Sequence, residues 1–458
     1  MSKTEKEQNH ISSLYLGTFN SEQFWRDHKI SRLPTITDLQ SDTIVTIMDE
    51  LKFVFCDSDE DLVITHLPID DAHKNYLWNL GFSFRNNEFP LIEDNNREEF
   101  YHDKGIEQRL IETENYEYFK GLISPLSKFN PYSILPLTEA FCVHYNLQNS
   151  HPNFDIVKKV NSKVFSHQLA KKLFEDKQGE IVYSARELEI QGNLLLKYSP
   201  FLIKDEFGVS GKGNLLIPSS QILQRIVRYI AKQESKGYET RFLLEPLLDK
   251  KIDFSCQFEI EATGNINICS IQKMQNSGFA FSDIQTSEIY FQEKLEQLGY
   301  FSQVKLIAEA LYQEGYYGSV CLDSMLLENE KIVPIIEINA RKSMGFINYY
   351  LDLFLAQFST QGCLTFFSLG LSEAINFEQI LEIMKQENIL FMKERPKGIL
   401  PLSANSLNVN YKLNQDKNYQ TYKGRFYVTI VSNCGEKKMF FIKKMKQIFT
   451  ELGIQQFD

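Results

Sequence analysis

The segment Glu337-Ile338-Asn339-Ala340-Arg341 places a carboxylate, an amide and a guanidinium at alternate positions. Side chains of a strand alternate between its two faces, so Glu337, Asn339 and Arg341 would share one face. The preceding predicted strand carries Asp323, and the short polar turn between the two strands predicts a hairpin. In that hairpin Asp323 would meet Glu337 and Asn339, the type of oxygen ligands that Mg²⁺ takes together with phosphate and water. The pattern predicts a magnesium site, with Arg341 placed to bind a phosphate or carboxylate.

The residues before Glu337 bear on whether this strand is at the surface. A surface strand with polar side chains facing solvent is the simpler interpretation of the alternation. The preceding run Val333–Ile336 is entirely apolar, which predicts a central, buried strand. Charged groups at the end of a buried strand more often mark a site, and this favours the functional interpretation.

A lysine and a glycine-bearing loop follow another predicted strand. Lys204 ends an apolar run, and Gly208-Val209-Ser210-Gly211-Lys212-Gly213 contains three glycines in six residues. Glycines let backbone N–H groups approach an anion closely, and the lysine could direct its ammonium at a phosphate. The loop matches neither the Walker A nor the dinucleotide-binding pattern. A glycine-rich hairpin turn explains the loop equally well when it is considered alone.

The run Leu243–Leu248 predicts a strand interrupted at Pro246. Proline removes a backbone donor and bends the chain away from the ladder, which leaves backbone groups after it without strand partners. A purine could use those groups and lie between the apolar neighbours. A strand that ends in a turn is an equally good interpretation of these residues alone.

Composition restricts the classes of function. The chain has 49 Lys and Arg against 60 Asp and Glu, and this net charge of −11 argues against non-specific binding of DNA or RNA. Seven widely spaced cysteines without a C-x-x-C pair argue against a disulfide framework or a zinc ribbon. All eight histidines lie at or before His167, so a site in the remaining chain lacks a histidine base unless the front segment folds back. Carboxylates, amides, lysines and arginines suit phosphate and magnesium chemistry.

Changes of pattern divide the 458 residues into three predicted domains, 1–155, 156–394 and 395–458. Strand-then-helix alternation predicts an α/β unit in the first domain. In the second, Gly192–Ile203 contains two apolar, strand-like runs, and Ile347–Phe367 predicts a largely buried helix. The N-terminal residues lack a signal-peptide pattern, and no apolar run reaches the length of a membrane span. These features predict a cytoplasmic protein without membrane partners.

Taken in order, the motifs resemble those of the ATP-grasp superfamily of carboxylate–amine ligases over roughly residues 156–367. Asn161-Ser162-Lys163 is similar to the Asn-x-Lys that opens that fold, whose lysine reaches the nucleotide phosphates. Lys204 resembles the strand-end lysine of the family, and the segment 208–213 resembles its phosphate-covering loop. The resemblance implies nucleotide contacts from ten residues: Lys163, Lys204, Gly208, Ser210, Gly211, Gly213, Glu245, Leu247, Leu248 and Asp253.

Within this resemblance, Glu245–Leu248 corresponds to the adenine-binding hinge. Asp253 corresponds to the acidic residue that binds the ribose, a position where glutamate is commoner. The resemblance implies a metal triad and two catalytic residues. The triad is Asp323, Glu337 and Asn339, and the catalytic residues are Arg341 and Lys204.

The resemblance implies an α/β fold in the α+β form of ATP-grasp proteins: two lobes with antiparallel sheets, between an α/β pre-ATP-grasp domain and a small α+β domain. The layout, together with Glu337–Gly345, is also similar to that of pheganomycin-type peptide ligases. The implied reaction joins a small carboxylate to an amine, such as an amino acid or short peptide, through an acyl phosphate. Its cofactors would be ATP and Mg²⁺, or Mn²⁺, and its products would include ADP and phosphate. A small-molecule kinase and a non-catalytic nucleotide-binding protein remain alternatives, and a homodimer remains open.

Overall fold

The computed structural model describes residues 11–92, 104–175, 179–208, 213–277, 280–414 and 419–457. Within these ranges seventeen strands form three sheets that are flanked by helices. Two predicted nucleotide contacts, Ser210 and Gly211, lie outside the described residues. No helix in the described ranges is both long and apolar enough to cross a lipid bilayer.

The first sheet is parallel and lies in the N-terminal part, with strand order β3-β2-β1-β4. Its core contains Leu14, Leu16 and Leu62 from the strands and Ile106 and Phe119 from the helices, all fully buried. The strands are β1 (Ser13–Leu16), β2 (Leu62–Val63), β3 (Arg85–Asn86) and β4 (Lys128–Pro131). The α-helices are Glu22–Trp25, Leu39–Ile47, Asp71–Leu80, Ile106–Glu112, Tyr116–Ile123, Thr138–His144 and Phe154–Val160, and Met48–Phe55 is a 3-10 helix.

The second sheet is antiparallel, with strand order β5-β8-β6-β7. Two amphipathic helices, Ala185–Leu195 and Ser220–Glu234, bury Leu188, Leu223 and Ile230 in its core. The strands are β5 (Glu180–Val182), β6 (Phe201–Asp205), β7 (Asn214–Ile217) and β8 (Phe242–Pro246).

The third sheet has nine strands, all paired antiparallel, in the order β13-β12-β9-β10-β11-β14-β16-β15, and β17 pairs with β14. The strands are β9 (Lys250–Ile260), β10 (Ile266–Ser277), β11 (Ala280–Thr286), β12 (Gly318–Leu327), β13 (Ile332–Asn339), β14 (Gly362–Leu371), β15 (Gly398–Pro401), β16 (Tyr422–Val431) and β17 (Gln455–Phe457). The associated α-helices are Lys163–Phe174, Ile289–Gln297, Tyr300–Gln313, Met344–Leu355, Phe377–Gln386, Asn405–Leu413 and Gly435–Glu451, and Ala356–Phe358 is a 3-10 helix. Residues 395–458 thus contribute three strands to the sheet that also contains β12 and β13. The domain boundaries at 155/156 and 394/395 stay predictions.

Alternation along β12 explains how this sheet supports a site. Val320, Leu322 and Leu326 are fully buried in the core shared with the helices Ile289–Gln297 and Tyr300–Gln313. The intervening residues, among them Asp323, therefore project from the opposite face.

Candidate functional site

The predicted hairpin of β12 and β13 is confirmed. The two strands pair antiparallel, with Asp323 directly opposite Glu337 and Cys321 opposite Asn339. The amide nitrogen of Asn339 donates a hydrogen bond of 3.1 Å to Asp323 Oδ2. The strand prediction was wrong in one respect, because β13 lies at the edge of the sheet and not at its centre. Its apolar residues are buried by helices packed on the strand, and an edge position also tolerates the missing donor of Pro334.

The facing carboxylates of Asp323 and Glu337 repel each other. Burial, together with the negative charge of Glu337, raises the pKa of Asp323 to about 7. A divalent cation between the two carboxylates would relieve this repulsion, and carboxylate and amide oxygens are the donors that Mg²⁺ prefers. In the described part of the chain, no cluster of three or more His, Cys, Asp and Glu side chains could hold a metal. Two carboxylates with Asn339 fit a metal whose other ligands are phosphate and water.

The Asn-Ser-Lys motif fixes a helix against the edge strand. Ser162 caps the helix Lys163–Phe174 by accepting hydrogen bonds from the N–H groups of Val164 and Phe165. The ammonium of Lys163 then lies 2.5 Å from Glu337 Oε1 and donates to the carbonyl oxygen of Gly208 at 2.8 Å. The motif therefore connects Glu337 to the start of the glycine loop. We refer to Asp323, Glu337 and Asn339 as the metal-type residues.

Side chains of the same segment satisfy the exposed backbone edge of β13. Asn161 accepts a hydrogen bond from the N–H of Ala340 at 2.8 Å and donates to its carbonyl oxygen at 3.3 Å. The hydroxyl of Ser166 accepts from the N–H of Ile338 at 3.2 Å. An edge strand leaves such groups unpaired, so these contacts replace a missing neighbouring strand and hold Glu337 and Asn339 in register.

Lys204 and Glu245 form an ion pair across β6 and β8. Burial lowers the pKa of Lys204, but Glu245, Glu337 and Asp323 more than offset this effect, so its pKa is raised and its charge is kept. Lys204 is thus within electrostatic reach of the facing carboxylates. At the predicted hinge, the N–H of Leu247 donates to the carbonyl oxygen of Pro200 at 3.3 Å, so this backbone donor is already engaged.

The described ends of the glycine loop are close to the same residues. Gly213 has a φ of +86°, and its carbonyl oxygen accepts a hydrogen bond from the N–H of Asp205 at 2.7 Å. Such a φ favours glycine because a side chain would be strained there. The predicted ribose-binding residue Asp253 lies on β9, where Lys250 Nζ is 2.5 Å from its Oδ2.

Arg341 has a partner that the sequence did not reveal. Its Nε and Nη2 both donate to Glu22 Oε1, at 3.1 and 2.5 Å, and both side chains are buried. Its Nη2 also donates to Asn339 Oδ1 at 3.1 Å. Because Glu22 lies 319 residues away, no local spacing could indicate this contact. The N-terminal part therefore supplies a residue to the site.

A cavity of about 1180 Å³ brings these residues together. Its wall includes eleven of the predicted site residues: Lys204, Gly208, Gly213, Glu245, Leu247, Leu248, Asp253, Asp323, Glu337, Asn339 and Arg341. Lys163 contacts two of them, Glu337 and Gly208, through its ammonium. The wall also includes Phe366, Arg425 and Tyr427 from β14 and β16, which the sequence did not indicate.

Comparison with known proteins gives one curated relative and many solved structures. No family model matches the chain. The chain is 23% identical over 246 residues to a [butirosin acyl-carrier protein]–L-glutamate ligase of Niallia circulans. That alignment covers 51% of this chain, and the chain spans 57% of the length of the relative.

Two solved structures show the same architecture at low sequence identity. An N5-carboxyaminoimidazole synthase of Aspergillus clavatus, with ADP and 5-aminoimidazole ribonucleotide, is 9% identical, with 96% of this chain and 98% of that chain covered and a TM-score of 0.50. A biotin carboxylase of Campylobacter jejuni in a β-γ-ATP complex is 12% identical, with 98% and 92% covered and a TM-score of 0.50. The mixed helices and antiparallel sheets agree with them, and the predicted fold class is confirmed: the chain has the α/β ATP-grasp fold.

Proposed function

We propose that the chain is an ATP-dependent carboxylate–amine ligase that forms an amide or peptide bond and releases ADP and phosphate. The observation that carries the proposal is the meeting of Asp323, Glu337, Lys204 and Arg341 in the wall of one cavity. Facing carboxylates suit a metal–nucleotide complex, and buried cations suit the phosphate oxygens. The curated relative is named a ligase of the butirosin acyl-carrier protein and L-glutamate, which supports an amino acid as one substrate.

The side chains around the cavity can each serve this reaction. A substrate carboxylate attacks the γ-phosphorus of ATP, which gives an acyl phosphate and ADP. The amine then attacks the acyl carbon, and phosphate leaves. Asp323, Glu337 and Asn339 would hold Mg²⁺, which when bound neutralises phosphate charge. Lys163 and Lys204 would place positive charge where the phosphate oxygens gain negative charge.

Arg341 would bind the phosphate or acyl oxygen of the reacting group. Its guanidinium is held by Glu22 and Asn339, so its orientation is fixed before substrate binds. Such a preorganised donor stabilises developing negative charge without reorganisation during the reaction. No histidine base is required for these steps, although the front segment does fold back and places His28 in the cavity wall, together with His167.

The proposal is tested with Glu337→Gln, which removes one carboxylate charge and keeps the shape of the side chain. ADP release in the presence of ATP, Mg²⁺ and mixtures of amino acids should fall by roughly 100-fold or more, as for loss of a major electrostatic contribution. Glu328→Gln is the matched control, because Glu328 is an exposed acid in the turn of the same hairpin. Circular dichroism checks that both variants are folded. Wild-type turnover in Glu337→Gln would refute the metal assignment.

A small-molecule kinase would use the same nucleotide contacts and stop after phosphoryl transfer. Mass spectrometry of the products distinguishes the two activities, because a ligase needs an amine for turnover and forms an amide. A phosphorylated product without any amide would favour the kinase.

A further inference from the structure

One face of the third sheet continues from the metal-type residues towards the C-terminal strands. Asp253 on β9 pairs with Met274 on β10, and Met274 pairs with Ile284 on β11. Directly paired residues of adjacent strands project from the same face. All three line the cavity. The cavity wall therefore changes from acidic to apolar along this row.

Arg425 lies at the far end of this face. On β16 it is two residues from Tyr427, which pairs with Phe366 on β14. The guanidinium carbon of Arg425 lies 4.5 Å from the centroid of the Phe366 ring, and its Nη1 donates to the hydroxyl oxygen of Tyr427 at 3.0 Å. The three side chains all line the cavity. The ring contact and the hydrogen bond restrain the guanidinium group.

Arg425 differs in its partners from most of the other cations of the cavity wall; the exposed Arg32 resembles it, because it also forms no ion pair in the described ranges. Four of those cations form an ion pair with a carboxylate: Arg26 with Asp205, Lys204 with Glu245, Lys250 with Asp253 and Arg341 with Glu22. No Asp or Glu in the described ranges forms an ion pair with Arg425. A guanidinium has five N–H donors, so donors of Arg425 that do not contact Tyr427 remain available to bind an anion.

The buried Tyr132 connects this end of the cavity to Arg341. Its carbonyl oxygen accepts a hydrogen bond from the N–H of Lys342 at 3.0 Å. Burial raises the pKa of Tyr132, the charge of Arg341 opposes this shift, and Tyr427 adds to it. Tyr132 therefore lies within electrostatic reach of both Arg341 and Tyr427. Tyr132, Arg341 and Arg425 all line the same cavity.

We propose that Arg425 binds a carboxylate of a substrate whose apolar part contacts Met274, Ile284 and Phe366. This inference rests on the proposed function and specifies its substrate class: one substrate carries a carboxylate that does not react. That group is either a second carboxylate of the acid substrate or the carboxylate of the amine substrate. Both have the same chemistry, and bidentate binding of a carboxylate by a restrained guanidinium gives affinity and orientation.

Binding without nucleotide tests the subsite directly. Calorimetry compares 3-phenylpropanoate with 3-phenylpropanamide, which differ in the carboxylate alone. The wild-type protein should prefer the carboxylate by about 10- to 100-fold, the range for a hydrogen bond to a charged group. Arg425→Gln should bring this ratio close to one. An unchanged ratio in the variant, or no preference in the wild type, would overturn the proposal and leave Arg425 as a residue that only packs on Phe366.

The matched control is Lys423→Gln on the same strand. Lys423 is exposed, pairs with Asp38 and does not line the described cavity wall, so its loss removes the same charge without affecting the subsite. The control should keep the wild-type preference for the carboxylate. Loss of the preference in both variants would show a general effect of net charge and would also overturn the assignment.

Kinetics distinguish the two sources of the carboxylate. With a substrate pair that supports ADP release, Arg425→Gln should raise the KM of one substrate and leave the KM of ATP unchanged. Amidating the non-reacting carboxylate of that substrate should raise its KM for the wild-type enzyme. The same change should have little further effect on the KM measured with the variant. If no pair releases ADP, the proposed function fails, while the calorimetric result still decides the role of Arg425.

Discussion

The buried ion pair between Glu22 and Arg341 predicts a measurable dependence of the site on the N-terminal part of the chain. The side chains are 6% and 7% exposed, and two guanidinium N–H groups donate to the same carboxylate oxygen. Truncating one partner of such a pair leaves a buried charge without its counterion, which typically costs about 3–5 kcal/mol. Glu22→Leu and Arg341→Met should each lower the free energy of unfolding by about this amount.

The double variant provides the decisive comparison. It leaves neither charge buried, so its loss of stability should be clearly smaller than the sum of the two single losses. Urea unfolding followed by tryptophan fluorescence is a suitable assay, because Trp25 lies in the same short helix as Glu22 and is buried. Circular dichroism followed in parallel reports on the remaining structure, since a chain of this size need not unfold in one step. A loss of stability in the double variant equal to the sum of the two single losses would refute the coupling.

Three further predictions concern charge, protonation and backbone strain. Lys204→Ala should raise the KM for ATP and slow turnover, because a buried cation at the site is lost; unchanged kinetics would remove Lys204 from it. Burial raises the pKa of Glu107 to about 8 from an ordinary value of 4.5, so between these pH values the folded protein keeps a proton that the unfolded chain has lost. Its stability relative to Glu107→Gln should therefore fall as pH rises through this window, by up to about 1.4 kcal/mol per pH unit, and a pH-independent difference in urea unfolding would contradict this. Gly17→Ala should destabilise more than Gly237→Ala: both glycines have a positive φ, but a Cβ at Gly17 would lie 2.7 Å from Tyr132 Cβ, whereas Gly237 has open space. Equal melting temperatures of these two variants would show that the contact with Tyr132 is unimportant.

The metal-type residues were predictable because their arrangement is local. A short turn joins β12 and β13, so the pairing of the two strands follows from the sequence. The register of the turn alone would place Asp323 opposite Ile335, and a shift between Asp323 and Met325 brings it opposite Glu337. Strand alternation then assigns the side chains to one face. The contact between Lys163 and Glu337 is longer in range, and only the resemblance to ATP-grasp proteins suggested that the two residues share a site.

The secondary structure of apolar runs was predicted least accurately from the sequence. The segment 347–367 predicts one buried helix, but the helix Met344–Leu355 is followed by the strand β14. Likewise, the strand-like runs of 192–203 belong partly to the helix Ala185–Leu195. A continuous apolar run has no periodicity that separates a buried helix from a buried strand. The same ambiguity made the apolar β13 resemble a central strand, although helices bury it at the sheet edge.

Contacts between residues that are far apart in the chain could not be predicted, for a different reason. Glu22 and Arg425 lie in segments whose local patterns predict ordinary secondary structure and nothing more. Their relation to Arg341 and the cavity depends on how the N-terminal part and the C-terminal strands pack around the central sheet. Arg425 reaches the cavity because β16 continues the sheet that carries the metal-type residues.

The ion pairs of the site give its carboxylates two roles. Lys163 and Lys204 are buried, so their charges need the partners Glu337 and Glu245 when no phosphate is present. A variant that deletes Glu337 would therefore lose a metal ligand and also leave a buried ammonium without its counterion. Glutamine keeps an oxygen acceptor for Lys163, whereas alanine does not. A smaller loss of stability in Glu337→Gln than in Glu337→Ala, with an equal loss of ADP release, would separate the structural role of this carboxylate from its chemical one.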